Sequence, residues 1–199
     1  MVKYTVVIFH GHYRINRIMD KELQDIFKNI NEWLRFAESK NAIIVALNGA
    51  AIWGILQNLK TLNCYSEYLF FWGIGFAVCA LIGLMIALWS FLPSLNIYWE
   101  EESNFKDVNP GALSLYFFRH IRRFEHKDYL QRLYDAKGIP VPNPLPQLEV
   151  DVAHQIIQNA RVTWYKYQIF FCAISITLIG LILPIPFLIG RLIYIKSKK

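Results

Sequence analysis

The chain has 199 residues, of which 55% are hydrophobic and 18% are charged. This composition is too apolar for an ordinary soluble domain, and the charged residues are too numerous for a chain that lies wholly in lipid. The formal net charge of +6 does not indicate nucleic-acid binding, because lysine and arginine on the cytoplasmic side of a membrane protein set its orientation and attract anionic headgroups. The composition predicts a multi-pass membrane protein with a modest soluble part.

Residues 1–40 are predicted to be a cytosolic N-terminal segment and helix. We expect no cleaved targeting segment, because the apolar run is short and no small-residue cleavage site follows it. Residues 2–9 are β-branched and aromatic enough to predict a short strand. From Asp20, the expected N-cap, apolar residues recur at three-and-four spacing and predict a helix. They are Leu23, Ile26, Phe27, Ile30, Trp33 and Leu34.

The first membrane span is predicted at about 41–59. The preceding residues are charged, whereas no ionisable side chain occurs between Lys40 and Lys60. No proline interrupts the stretch, so we predict one helix that leaves the cytosol and enters the bilayer. Asn48 lies deep in this span, and a buried amide needs a partner. Two interpretations remain open for it: an interhelical hydrogen bond, or a pore-lining or gating role.

A second span at about 68–95 carries no charge and completes a predicted transmembrane hairpin over residues 41–95. Both spans have small residues at four-residue intervals, which allow another helix to approach closely. They are Ala46, Ala50 and Gly54 in the first span and Gly75, Cys79, Gly83 and Ala87 in the second. We expect an antiparallel hairpin joined by about eight residues, roles in packing or gating for Gly54, Gly75 and Gly83, and self-association of several copies.

The distribution of lysine and arginine predicts the orientation. The linker between the first two spans holds one lysine, whereas the flanking segments hold many basic residues, so the N-terminus and residues 96–167 are expected in the cytoplasm. Cys64, in the linker, is then outside. Residues 168–199 are predicted to form a third transmembrane helix and a basic tail, and counting spans places the C-terminus outside. The alternative is a kinked or re-entrant end at Pro184 and Pro186 that keeps the basic tail inside.

Residues 96–167 are predicted to form a helical cytosolic module with one proline-rich spacer, 139–146. A helix is expected to begin at Asn109 and Pro110, with an apolar stripe through Leu113 to Phe124. Four of its basic residues follow one another at i, i+3, i+4 and i+7, which predicts one cationic face. They are Arg119, Arg122, Arg123 and His126.

Two further helices are predicted in the second half of this module. A short one is expected at about 127–137, ending at Gly138. From Leu148 onward a helix is expected to run without a break into the third span. Together with the spans, these elements predict an all-α membrane protein.

We find no sequence pattern that indicates catalysis or a metal site. Walker loops, nucleophile elbows, dinucleotide-binding glycine motifs and His-Glu-x-x-His are missing from the sequence. The cysteines at 64, 79 and 172 are too scattered for a disulfide framework or zinc. His10 and His12 have no third ligand nearby in the sequence. We expect neither enzymatic activity nor a bound metal or cofactor.

Three motifs resemble one known family. Asn31–Lys40 reads NEWLRFAESK and resembles the opening motif of the transmembrane effectors of bacterial Pycsar antiphage defence, in which Trp-(Ile/Leu)-(Arg/Lys)-Phe-Ala-(Asp/Glu)-x-Lys precedes the first span. Leu115–Ile121, followed by Tyr129 and Leu130, is similar to the family's aromatic-rich cytosolic helix. Asp151–Ile156 resembles the polar helix before its last span.

The resemblance implies a function. Such an effector senses a cyclic nucleotide, with cyclic UMP or cyclic CMP expected, which a partner cyclase makes during infection. It then disrupts or permeabilises the inner membrane and causes growth arrest or cell death. The implied partners are the lipid bilayer, the cyclic nucleotide and further copies of the chain, with no direct contact to nucleic acid. The alternative is a membrane scaffold or ion-channel subunit that senses nothing.

Under this resemblance we expect the ligand site in the cytosolic module. Cations would bind the phosphate, and aromatic rings would stack on the base. The expected ligand-binding residues are Trp33, Arg35, Phe36, Lys40, Tyr116, Phe118, Arg119, His120, Arg122 and Arg123. The competing interpretation is that the arginines face lipid headgroups and the aromatic residues belong to a core.

Overall fold

The computed structural model describes residues 2–92 and 113–182, together with positions 184–186, 189, 190 and 193; of residues 2–17 and Tyr65 only the backbone is described. The elements in these ranges are α1 (Val2–Tyr65), α2 (Glu67–Trp89), α3 (Phe118–Ile121), α4 (His126–Ala136) and α5 (Gln147–Ile182). No strand occurs in the described part of the chain, and the predicted all-α fold is confirmed.

Helix α1 begins much earlier than the sequence indicated. The strand predicted over residues 2–9 is wrong, because these residues already belong to α1. Asp20 lies inside the helix, so its prediction as the N-cap is also wrong. The physical reason is that a lone strand leaves its backbone groups without partners, whereas a helix satisfies them within itself. Strand propensity is a weak signal when no neighbouring strand is present.

The chain divides into two compact units. Residues 1–36 and 95–165 form the first, here called the polar unit, and residues 37–94 and 166–199 form the second, the spanning unit. Helices α1 and α5 each contribute residues to both units. Within the described residues, α2 and parts of α1 and α5 are long and apolar enough to cross a membrane.

The polar unit has a core made by α1, α4 and α5. The apolar stripe predicted on α1 is buried at Leu23, Ile26 and Ile30. Helices α4 and α5 contribute further side chains that are almost completely buried: Tyr129, Leu130, Leu133, Tyr134, Ala153, Ile156, Ile157 and Ala160. This amount of apolar burial is the main stabilising term for the unit.

The helix predicted from Asn109 to His126 is not formed as expected. Residues 109–112 lie outside the described residues, 113–117 are not helical, and α3 has only the four residues Phe118–Ile121. Glu125 has extended backbone before α4 begins. The four basic residues therefore do not lie on one continuous helix, and that prediction is wrong. Burial of Phe118, Ile121 and Phe124 in the core accounts for the break, since packing overrides local helical periodicity.

The rest of the polar unit agrees with the sequence. Helix α4 ends at Ala136, and Gly138 follows in the left-handed conformation, with φ of 64°, which glycine adopts without steric cost. Residues 139–146 are not helical. Helix α5 runs unbroken from Gln147 to Ile182, as predicted.

The spanning unit is a bundle of three helices. A Cβ on Gly73 would lie 3.1 Å from Leu62, and one on Gly83 would lie 2.9 Å from Asn48, so α2 runs antiparallel to α1. The connection between these two helices is shorter than the expected eight residues. Only Ser66 separates the two helices, and its hydroxyl accepts a hydrogen bond from the backbone N–H of Tyr68 at 3.3 Å.

The surface of the spanning unit is apolar and its interior is lined by small residues. On α2 the buried residues are Gly73, Ala80, Gly83 and Ala87. Large hydrophobic side chains point outward instead: Ile43, Leu47, Trp53, Leu56, Phe71, Val78, Leu81, Ile82, Met85, Phe171, Leu178 and Ile179. This arrangement is typical of helices that pack against each other inside lipid. The three helices therefore form a membrane-spanning bundle.

Candidate functional site

Two of the predicted phosphate-binding arginines contact an aromatic ring. The guanidinium carbons of Arg119 and Arg122 lie 5.1 Å and 4.5 Å from the centre of the Trp164 ring. At such distances the cations are attracted by the electron-rich face of the indole. The structure thus brings two predicted cations together around an α5 tryptophan.

The predicted stacking rings divide into packed and exposed ones. Trp33 and Phe118 pack against each other with 5.5 Å between ring centres, and Phe118 is buried. Phe36 and Tyr116 are exposed, and the Tyr116 hydroxyl donates a hydrogen bond of 3.0 Å to Glu22. Of the four expected stacking rings, Phe118 is therefore part of the core, and Trp33 is half-buried against it.

The remaining predicted ligand residues are scattered over different surroundings. Arg35 is exposed and Arg123 is half-buried. His120 accepts a hydrogen bond from the Ser114 backbone N–H at 3.0 Å through Nδ1. Lys40 belongs to the spanning unit, where its Nζ lies 5.2 Å from the ring centre of Tyr167. Whether any of these residues binds a ligand remains a prediction.

A cavity of about 300 Å³ opens in the polar unit between the start of α4 and the face of α5. We call it the α4–α5 cavity. Its lining residues are Phe124, Glu125, His126, His154, Ile157, Gln158 and Arg161. Predicted ligand residues do not occur in this lining. Three polar lining residues are spaced four and three residues apart on α5: His154, Gln158 and Arg161. This spacing places them on one face of the helix. The same spacing is the sequence signal that could have identified them.

The polar groups of the α4–α5 cavity are held in place by hydrogen bonds. Arg161 donates from Nε to the backbone carbonyl of Arg122 at 3.2 Å. The side-chain amide nitrogen of Gln158 lies 3.1 Å from Nε2 of His154. The rings of His126 and His154 are 5.6 Å apart between centres. The cavity thus combines a fixed guanidinium, two imidazoles and an amide over buried Ile157.

A polar cluster joins the three helices of the spanning unit at one end. Lys166 lies 3.1 Å from the Glu38 carboxylate and donates a hydrogen bond of 3.0 Å to the backbone carbonyl of Ser90. The Asn41 amide donates to the Ser90 hydroxyl and to the Lys166 carbonyl, both at 3.1 Å. We call Glu38, Asn41, Ser90 and Lys166 the border clamp. Reasoning from sequence missed it, because its members are far apart along the chain.

The predicted packing and gating residues have unequal surroundings. Asn48 is buried and accepts an interhelical hydrogen bond from Thr177, which is the first of its two interpretations. Gly83 is buried against Thr177. By contrast, a Cβ on Gly54 or Gly75 would have no described atom within 4 Å. Of these three glycines, only Gly83 therefore packs inside the bundle.

Two carboxylates in the polar unit have opposite pKa shifts. A hydrogen bond from Lys137 lowers the pKa of Glu22, and the two side chains are 2.8 Å apart. Burial raises the pKa of Glu149, although its hydrogen bond from Tyr134, of 2.6 Å, acts in the other direction. Both groups help to fix the position of α4.

Comparison with known proteins identifies the family. A family model described as "Pycsar effector protein domain" matches residues 22–193, which is well over half of the chain. No curated protein and no solved structure gives a match. The resemblance seen in the three sequence motifs is confirmed. The chain belongs to the Pycsar effector protein domain family and is a transmembrane effector of that defence system.

Proposed function

We propose that the chain senses a cyclic nucleotide with its polar unit and permeabilises the inner membrane with its spanning unit. Family membership makes it a membrane effector of a cyclic-nucleotide antiphage system. The observation that carries the finer proposal is the sharing of α1 and α5 between the two units. Because each is one unbroken helix, a shift of α5 caused by a ligand changes the spanning unit as well.

The proposal assigns a non-catalytic role and no cofactor apart from the signal itself. Cyclic UMP and cyclic CMP are the proposed signals, supplied by a partner cyclase. The N-terminus and residues 96–167 are proposed to lie in the cytoplasm, where that nucleotide is made. This orientation agrees with the concentration of lysine and arginine on the same segments.

We propose that permeabilisation requires several copies, because the described part of one copy supplies three helices able to span a membrane. The seam of Ala46, Ala50 and Gly54 is exposed on α1. Small residues on an exposed membrane helix let a second helix approach closely. Self-association through this seam is part of the proposal.

Dye release from proteoliposomes tests the proposal. Purified protein is reconstituted in vesicles that contain a self-quenching dye, and cyclic UMP or cyclic CMP is added from the side of the polar unit. We expect leakage that depends on one of these nucleotides. Leakage that is insensitive to both would support the non-sensing channel subunit instead. Nucleotide binding without leakage would keep the sensing role and overturn permeabilisation.

A further inference from the structure

We propose that the α4–α5 cavity is the site at which the polar unit binds a cyclic mononucleotide. This inference rests on the proposed function and adds to it the location of the site. A volume of about 300 Å³ is at the small end of the range for ligand pockets. It suits one nucleotide with one phosphodiester.

The phosphate end of the ligand is assigned to Arg161. A guanidinium has five N–H donors in a planar fork and recognises phosphate oxygens in pairs. The hydrogen bond from Nε to the Arg122 carbonyl fixes the plane of that fork, which reduces the entropy lost when an anion binds. His126 begins α4, a helix of 11 residues, so backbone N–H groups of its first turn lie beside the cavity.

The base end is assigned to Gln158 and to the apolar residues of the lining. Gln158 carries both a donor and an acceptor, which suits the hydrogen-bonding edge of a base. The buried side chains of Ile157 and Phe124 offer apolar contact. Glu125 also lines the cavity, and its carboxylate repels the phosphate. It therefore favours an orientation in which the phosphate lies at Arg161 and the N–H donors of the base or the ribose lie at Glu125.

The residues around Arg119 are a weaker candidate for the same role. Arg119 and Arg122 are both placed over Trp164, so ligand binding there would have to displace an existing cation–π contact. Trp33 and Phe118 pack against each other, and Phe118 is buried. The α4–α5 cavity has about 300 Å³ of volume between the start of α4 and α5.

Binding measurements on the full-length protein in detergent test the assignment. The probes are the four 3′,5′-cyclic mononucleotides of uridine, cytidine, adenosine and guanosine, titrated by calorimetry. We expect Arg161→Gln to weaken binding by about ten- to hundredfold, as loss of charge-assisted hydrogen bonds implies. Gln158→Ala, a second variant at a half-buried position, should also weaken it. The matched control Lys28→Gln removes an exposed charge on α1 and should change affinity by less than about twofold.

Histidine footprinting locates the ligand independently of these variants. Diethylpyrocarbonate modifies accessible imidazoles, and mass spectrometry reads the rate at each histidine. Bound nucleotide should protect His154 and leave His120 unchanged.

Each outcome decides a different claim. If the parent binds none of the four nucleotides, the proposed sensing function fails and the cavity assignment fails with it. If the parent binds one of them, the proposed sensing function stands. In that case, unchanged affinity in both Arg161→Gln and Gln158→Ala, or protection of His120 and not of His154, overturns the cavity assignment alone.

Discussion

Thr177 on α5 donates a hydrogen bond to Asn48 on α1, with 3.2 Å between the Thr177 hydroxyl oxygen and the Asn48 carbonyl oxygen. The same hydroxyl lies 3.0 Å from the backbone carbonyl of Ala173, so one proton is shared between two acceptors. Among the described residues, the side-chain nitrogen of Asn48 has no hydrogen-bond partner. A buried donor left unsatisfied costs about 1–3 kcal/mol. Asn48 therefore gives the bundle specificity at the expense of stability.

Replacing Asn48 by leucine should stabilise the spanning unit. Leucine has the same branching and the same number of side-chain heavy atoms, it has no donor to satisfy, and Thr177 keeps its bond to Ala173. We expect a gain of about 1 kcal/mol, because interhelical hydrogen bonds in membranes average only about 0.6 kcal/mol. The free energy of unfolding is measured by titration with SDS in mixed micelles, with circular dichroism as the readout. Asn58→Leu, at an exposed position of α1, is the control. A loss of stability in Asn48→Leu would contradict this account.

The same variant separates packing from gating. If Asn48 has a gating role, Asn48→Leu should leak less dye than the parent at equal nucleotide concentration. A more stable variant with unchanged leakage would leave only the hydrogen-bonding role.

Lys166 should stabilise the spanning unit through its contacts in the border clamp. Its side chain is only 13% exposed and contacts Glu38 and the Ser90 carbonyl. Lys166→Met removes both interactions and leaves the acceptors unpaired, while Lys60→Met changes an exposed lysine of α1. Because Glu38 is 44% exposed, water compensates part of the loss. We expect destabilisation of about 1–2 kcal/mol for Lys166→Met.

The SDS titration used for Asn48→Leu measures this effect as well. Equal stability of the Lys166→Met and Lys60→Met variants would show that the border clamp contributes nothing to the bundle.

Much of the fold could be predicted because it follows from local patterns. The buried stripe at Leu23, Ile26 and Ile30 has helical periodicity, and the spans are long runs without charge. The predictions that were wrong have a different physical origin. The helix expected at 109–126 is broken because its aromatic residues enter a core whose partners lie elsewhere in the chain, which periodicity cannot reveal.

The candidate site was harder to predict for the same reason. Asn41 and Lys166 are 125 residues apart in sequence, and only the packed bundle brings them together. In the α4–α5 cavity, His154 and Arg161 share a face of α5, but the sequence does not show that the start of α4 covers that face. Basic residues near aromatic residues were the more visible pattern, and the structure uses two of those arginines against Trp164.

The attachment of α4 should depend on pH through Glu149. Its pKa is raised by burial from the usual value of 4.5, so the folded state favours the protonated form. The stabilisation that protonated Glu149 provides is fully present below pH 4.5, and it is lost as pH rises through the higher pKa of the folded state. In Glu149→Gln the side chain cannot ionise, so this variant should not lose stability as pH rises through that range. Hydrogen exchange of the α4 peptide, corrected for intrinsic rates, measures the difference.

Glu22→Gln is the matched control for this pH dependence. The pKa of Glu22 is lowered by its hydrogen bond from Lys137, so its contribution is lost only as pH falls below the usual range. Above pH 4.5 the Glu22 carboxylate stays ionised, and the difference between Glu22→Gln and the parent should be constant there. A parallel pH dependence in Glu149→Gln and the parent above pH 4.5 would show that burial does not raise the pKa of Glu149.

The two small-residue seams should respond differently to enlargement. A Cβ on Gly83 would lie 2.7 Å from the Thr177 hydroxyl and 3.0 Å from the Ala173 carbonyl. Such contacts force the helices apart, and overpacking of this kind costs about 1–3 kcal/mol. A Cβ on Gly54 would meet no described atom within 4 Å. We therefore expect Gly83→Ala to destabilise the monomeric bundle and Gly54→Ala to leave it within about 0.5 kcal/mol.

Enlarging Gly54 further tests self-association without disturbing the fold. Gly54→Leu puts a large side chain on the exposed seam, where the proposed contact between copies needs close approach. Cross-linking in vesicles and dye release should both fall, while resistance to SDS unfolding stays at the parent level. Gly75→Leu is the matched control, because Gly75 is equally open but lies on α2. If Gly54→Leu assembles and leaks like the parent, copies do not meet through the seam on α1.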